Sequence, residues 1–213
     1  MYASHRKGSK VGTLDQPAAT VHPGAVRAIF DHLLLSLTVD GKPGSPVFLF
    51  SHYRFRWAHD GFVGELVFVE VDRGGGPERL VLTDAPALAE KQASRLSPRG
   101  WAAKDIERPP TMATFRSTPL AGPAVSEAVI ASGMRIDIEW SDLAPPTFAM
   151  GPAPRVPTED IVSVLIEAGA GRATVNGQAV TGALFRNDVW VPWLGRPLRS
   201  GVVAIGEVLL DRP

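Results

Sequence analysis

Asp60-Gly61 lies between two long strand-like runs, 47–58 and 62–72, and constrains this chain more than any other pair of residues. Asp-Gly suits a two-residue type I′ hairpin turn, whose central positions both need φ > 0. Counting outward from that turn sets His59 opposite Phe62, Arg56 opposite Glu65, Tyr53 opposite Phe68 and His52 opposite Val69. One face then carries Phe50, His52, Arg54, Arg56, Glu65, Val67, Val69 and Val71. The other carries Tyr53, Phe55, Trp57, Leu66 and Phe68. Both faces are largely apolar, so the pair needs cover on both sides: a second sheet, a helix or a barrel lumen.

Residues 1–23 have no periodicity and read as an extended N-terminal arm, with 24–213 as a single β-rich domain. Val26, Ile29, Phe30, Leu33, Leu34 and Leu37 follow helical i, i+3, i+4 spacing, while Leu33 to Val39 reads as strand. Together they predict a short helix passing into a strand. Further strands are expected at 79–83, 112–116, 134–140, 161–168 and 202–210. Asp84 is expected to cap a helix over 85–96, with Pro86 in its first turn. Asn176-Gly177 marks a second tight hairpin, pairing Val175 with Gln178 and Ala173 with Val180. Pro145 to Pro157 holds five prolines and cannot be a central strand.

Eight to ten strands with no βαβ alternation predict a mainly β fold, an antiparallel β-barrel or β-sandwich with one or two peripheral helices. This many-stranded, cysteine-free, hairpin-rich pattern resembles the lipocalin-type barrels in architecture. The resemblance implies an enclosed site for a small apolar ligand.

Twenty-two basic and twenty-two acidic residues leave no net charge to draw phosphate backbones or anionic lipid, so neither nucleic acid nor membrane is an expected partner. The absence of cysteine excludes disulfides, thiolate metal sites and cysteine nucleophiles. No apolar leader segment opens the chain, and the simplest location is cytoplasmic. The five histidines show no metal-ligand spacing, and no Walker or Gly-x-Ser-x-Gly sequence occurs, so no metal or cofactor is expected. Gly74-Gly75-Gly76 leads into another strand and is a loop, not a phosphate cradle.

Four groups of residues bear on chemistry. His52, Arg54, Arg56 and Glu65 converge on one hairpin face and could hold an anion, although charge pairs near hairpin tips usually face water. Glu207 sits in the alternation Val203, Ile205, Glu207, Leu209, where burial would raise its pKa or demand an arginine such as Arg196 or Arg199; the odds favour the arginine. Trp190 and Trp193 could form an aromatic wall, with Tyr53 a further ligand contact. Asp137 and Glu139 share a strand face with Arg135 and read as a solvated ladder.

Two functions follow as expectations. One is a barrel that binds a small apolar or amphipathic molecule, with Glu207, His52 and Glu65 available for cofactor-free isomerisation, hydration, cyclisation or lyase chemistry. The other is a structural or assembly subunit of a larger particle with no catalytic activity, and the N-terminal arm could join copies as a homo-oligomer.

Overall fold

The computed structural model describes residues 26–72, 74–118, 122–153 and 158–211. The arm expected over 1–23 lies outside them, and with it any role in assembly. The strands are β1 Val26–Leu37, β2 Phe48–Ala58, β3 Gly64–Asp72, β4 Pro77–Thr83, β5 Thr111–Ser117, β6 Ala124–Ala131 and β7 Met134–Leu143. They continue with β8 Thr147–Pro152, β9 Glu159–Val175, β10 Gln178–Ala179, β11 Arg186–Asn187, β12 Leu198–Arg199 and β13 Gly201–Asp211. Helix α1 spans Pro86–Leu96, and α2 Ala103–Ile106 and α3 Val191–Leu194 are single turns. None is long and apolar enough to cross a membrane.

Pairing runs β9-β13-β1-β2-β3-β4-β5-β6-β7, and β7 returns to β9, so these nine strands close into a ring. Every contact is antiparallel except a short parallel one between β4 and β5. The ring closes because β9 serves two neighbours in turn, β13 along 159–167 and β7 along 168–175. β8 is an edge strand on β9, which is how the proline-rich segment takes part in the sheet.

All nine strands send apolar side chains inward, among them Leu35, Phe50, Val69, Leu82, Trp140 and Ile166. A second core forms outside the ring, where Phe30, Tyr53, Phe68 and Leu209 pack beneath α1, Trp101 and the Trp190–Trp193 segment. Each fully buried Leu or Phe contributes about 1.5–3 kcal/mol, so the doubly covered β1-β2-β3 strands anchor both cores. A lipocalin-type lumen would leave the interior open to ligand. Here the inward side chains pack against one another, and the cavity described below lies on the outer face.

Four local expectations are corrected. β1 is strand throughout, with no helix: its apolar residues are spread over both faces because both are buried, which mimics helical spacing. The β2–β3 register is shifted by two, so Arg54 faces Glu65, His52 faces Val67 and Tyr53 faces Leu66. Only Gly61 of the Asp60-Gly61 pair has positive φ, which rules out type I′. Instead Ala58 and Trp57 stay with β1 while β3 leaves early, its Glu65 N–H donating to the Asp84 carboxylate at 2.7 Å. Asp84 is thereby used up and does not cap α1, whose N-cap is Ala85. A shift of two preserves which face each side chain occupies, so the face assignment survives the wrong register up to Phe55. Beyond the β1–β2 register shift there, Trp57 pairs with Ile29 and leaves the face of Tyr53 and Phe55.

Several expectations hold. Asn176 and Gly177 both have positive φ, and Gln178 faces Val175. Val180 N–H donates to Ala173 O at 2.9 Å. Ile136, Ile138 and Trp140 are buried while Arg135 pairs with Asp137 on the outside.

Candidate functional site

β13 begins by alternating, with Val203 and Ile205 on the ring-interior side. Gly206 then adopts φ +59° and adds one residue to the strand. The β13–β9 register shifts between Ile205 and Val208, and Gly206 N–H donates to Asp31 Oδ1 at 3.0 Å. Such a bulge reverses the phase of everything beyond it. Glu207 and Leu209 therefore join Phe30 on the outer face, whereas strict alternation had grouped Glu207 with Ile205.

Glu207 is 2% exposed. The expected arginine is not its partner: Arg196 pairs with Glu167 at 3.1 Å, and the Arg199 guanidinium donates to the Gly169 carbonyl while its backbone N–H donates to Glu167. Glu207 Oε2 instead lies 3.7 Å from His32 Nδ1. Burial pushes its pKa up to about 8; the Ser163 hydroxyl opposes this and the Asp31 charge adds to it.

His32 is held from two sides. Its ring stacks on Tyr53, centroids 4.2 Å apart and 9° from parallel, and Nε2 lies 3.0 Å from Ser51 Oγ. These groups line a cavity of about 360 Å³, within the range of small-molecule sites. Phe30, Leu34, Leu49, Ile161 and Leu209 give it an apolar wall. Trp190 and Trp193 line it too, meeting edge to face at 5.5 Å. Arg95, ion-paired with Glu159, and Arg99, exposed, complete the lining.

His52, Arg54 and Glu65 come together, but inside the ring and on the opposite side of the sheet from Glu207. His52 is fully buried, with Nε2 2.8 Å from Glu65 and Nδ1 2.8 Å from Glu127 of β6. Arg54 reaches Glu127 at 2.8 Å and Glu65 at 3.5 Å. Burial alone would push the His52 pKa down, but Glu127 and Glu65 outweigh it and the net shift is upward. Burial would raise Glu65, yet His52 and Arg54 hold it below the ordinary carboxylate range. Arg56 is not in this group; it is exposed and pairs with Asp31 at 3.1 Å.

His52, Glu65 and Glu127 place one donor atom each within 4.8 Å of one another, a set of types that could ligate a divalent cation. Arg54 opposes that use, since its guanidinium already sits on Glu127 Oε1. With His52 protonated, two cations and two carboxylates balance among themselves, and the group is described as an ion-pair quartet.

The structure thus brings Glu207, Tyr53, Trp190 and Trp193 to one cavity and sets His52, Arg54 and Glu65 apart from it. Sequence reasoning missed His32, because a helical reading of β1 hid the face it shares with Phe30 and Leu34. It also missed Glu127, although Val125, Glu127 and Val129 carry the same signal of one carboxylate in an apolar alternation.

No protein-family model matches this chain, and no curated protein does. Among solved structures, an acetoacetate decarboxylase from Legionella pneumophila subsp. pneumophila str. Philadelphia 1 aligns with 93% of this chain and 90% of its own, at 12% identity and a TM-score of 0.42. At that level nothing about a site transfers, and the cavity has to be understood from its own residues.

Proposed function

We propose that the outer-face cavity binds a small, largely apolar molecule and that Glu207 with His32 moves protons on it. One observation carries this reading: a carboxyl group buried in an apolar cavity beside an imidazole, with no arginine paired to it among the described residues. A purely structural carboxylate in that setting would cost several kcal/mol without a counterion. A pKa near 8 keeps Glu207 largely protonated at neutral pH, where a general acid is most useful.

Glu207 carries the transferable proton and His32 stands beside it as the acceptor. Glu207 donates to an oxygen or carbon of the bound molecule while the imidazole accepts from a neighbouring carbon, and the pair ends with the proton count it began with. Isomerisation or enolisation needs no more than this; hydration, cyclisation or lyase chemistry draws on the same two groups. Tyr53 and Ser51 fix the imidazole, which limits the loss of orientation on binding.

Incubation with a panel of enolisable ketones and enones in deuterated water, followed by proton NMR, tests the reading. Wild-type protein should catalyse deuterium incorporation, and Glu207→Gln should abolish it while still folding and binding. Exchange that persists in Glu207→Gln would remove Glu207 from the chemistry, and no exchange by the wild type would leave a binding protein only.

A further inference from the structure

The cavity's unused hydrogen-bonding groups are unevenly distributed. Trp190 is 6% exposed, and its indole N–H is buried with no partner among the described residues. Arg95 gives one nitrogen to Glu159, but its Nε–H is buried and likewise without a partner. Arg99, also on the lining, makes no ion pair among the described residues. All three are donors, and two of the three residues are cations. A buried donor left unsatisfied forfeits its bond to water, and a ligand supplying acceptors would recover that loss.

Strand geometry orders these groups along the cavity. Glu207 lies at the level of Ser163 on β9, because Ser163 is the residue facing the bulge. Trp193 packs over Gly151, which pairs with Ile161, two residues further along. Arg95 is tied to Glu159, two residues beyond that. At about 3.3 Å per residue, the aromatic pair stands about 7 Å from the level of Glu207, and the arginine anchor about 13 Å.

Resting on the cavity reading above, we infer that the ligand is a carboxylate-ended amphiphile. Its carboxylate meets Arg95, Arg99 and the Trp190 N–H, its apolar body lies along Trp190 and Trp193, and its far end reaches Glu207 and His32. Guanidinium suits a carboxylate because it can donate two parallel hydrogen bonds. The group that exchanges protons is then remote from the carboxylate that anchors the molecule.

Titration of the full chain with decanoate and with decanol, followed by calorimetry and by tryptophan fluorescence, tests this with one apolar tail and two head groups. Decanoate should bind at least about tenfold more tightly than decanol, a difference of about 1.4 kcal/mol. Arg99→Ala should reduce that preference by weakening decanoate; Arg99 is exposed, so folding is not at stake. Trp190→Phe, which keeps a ring but removes the N–H, should weaken decanoate more than decanol. Equal binding of the two by the wild type, or a preference undiminished in Arg99→Ala, would overturn the carboxylate inference while the cavity reading stands. Failure of both amphiphiles to bind would overturn both readings.

Discussion

At the scale of single residues, two buried groups make stability depend on pH. The raised pKa of Glu207 means the native state keeps a proton that the unfolded chain releases above its ordinary value of 4.5. Its contribution is complete below that value and is lost as pH rises through about 8, a loss of several kcal/mol. Glu207→Gln has no proton to lose, so melting curves should show it matching the wild type at pH 5 and exceeding it at pH 9. Parallel pH profiles for the two proteins would mean that Glu207 is ionised in the fold. His52 also has a raised pKa, so its contribution is full below 6.5 and lost as pH climbs through its folded value. Removing it with His52→Leu leaves Glu65 and Glu127 facing each other with only Arg54. A destabilisation of about 3–5 kcal/mol is expected in chemical denaturation. Binding by the folded fraction should be unchanged, because the quartet and the cavity lie on opposite faces of the sheet.

At the scale of elements, the β13 bulge decides whether the carboxyl group of Glu207 reaches the cavity. Gly206 holds a left-handed conformation that costs other residues about 1–2 kcal/mol. Gly206→Ala should lower stability by about that amount and also weaken ligand binding, since the strain is relieved by undoing the bulge. Gly177→Ala is the control. Gly177 has φ +78° and open space where a Cβ would stand, so it should cost a similar amount through the backbone alone, with ligand affinity intact. Equal ligand affinity in Gly206→Ala and the wild type would mean that Asp31 alone holds the bulge, through the Gly206 N–H.

At the scale of the whole molecule, one sheet separates two cores, and its strands differ in how they are covered. β1, β2 and β3 are buried on both faces and paired on both edges, while β8 and β10 hold a single neighbour each. Local opening is easiest where few apolar contacts and exposed edges coincide. Hydrogen exchange followed by mass spectrometry should show the slowest amides in β1–β3 and the fastest strand amides in β8 and β10. Ligand should slow exchange in β13 near Gly206 and in the Trp190–Trp193 segment, and leave the quartet's β6 unaffected. Protection of β6 instead would place the ligand inside the ring.

The sequence by itself determined what depends on near neighbours. Asn176-Gly177 specified its turn because both residues tolerate φ > 0. The alternation of Ile136, Ile138 and Trp140 specified a buried face, and the apolar setting of Glu207 marked it as a buried carboxylate. Even the wrong register at Asp60-Gly61 kept the faces of the residues from Phe50 to Phe55, since a slip of two residues leaves side-chain direction unchanged. What the tertiary structure decided depends on contacts between distant residues. Asp84, nineteen residues from Glu65, draws β3 away from the tip of β2. Glu127 reaches His52 only because the ring brings β6 across to β2. His32 meets Glu207 only because β1 and β13, from opposite ends of the chain, lie side by side and a bulge turns one of them. Local spacing encodes which side of a strand a residue occupies, but which strand faces it is settled by closing the sheet.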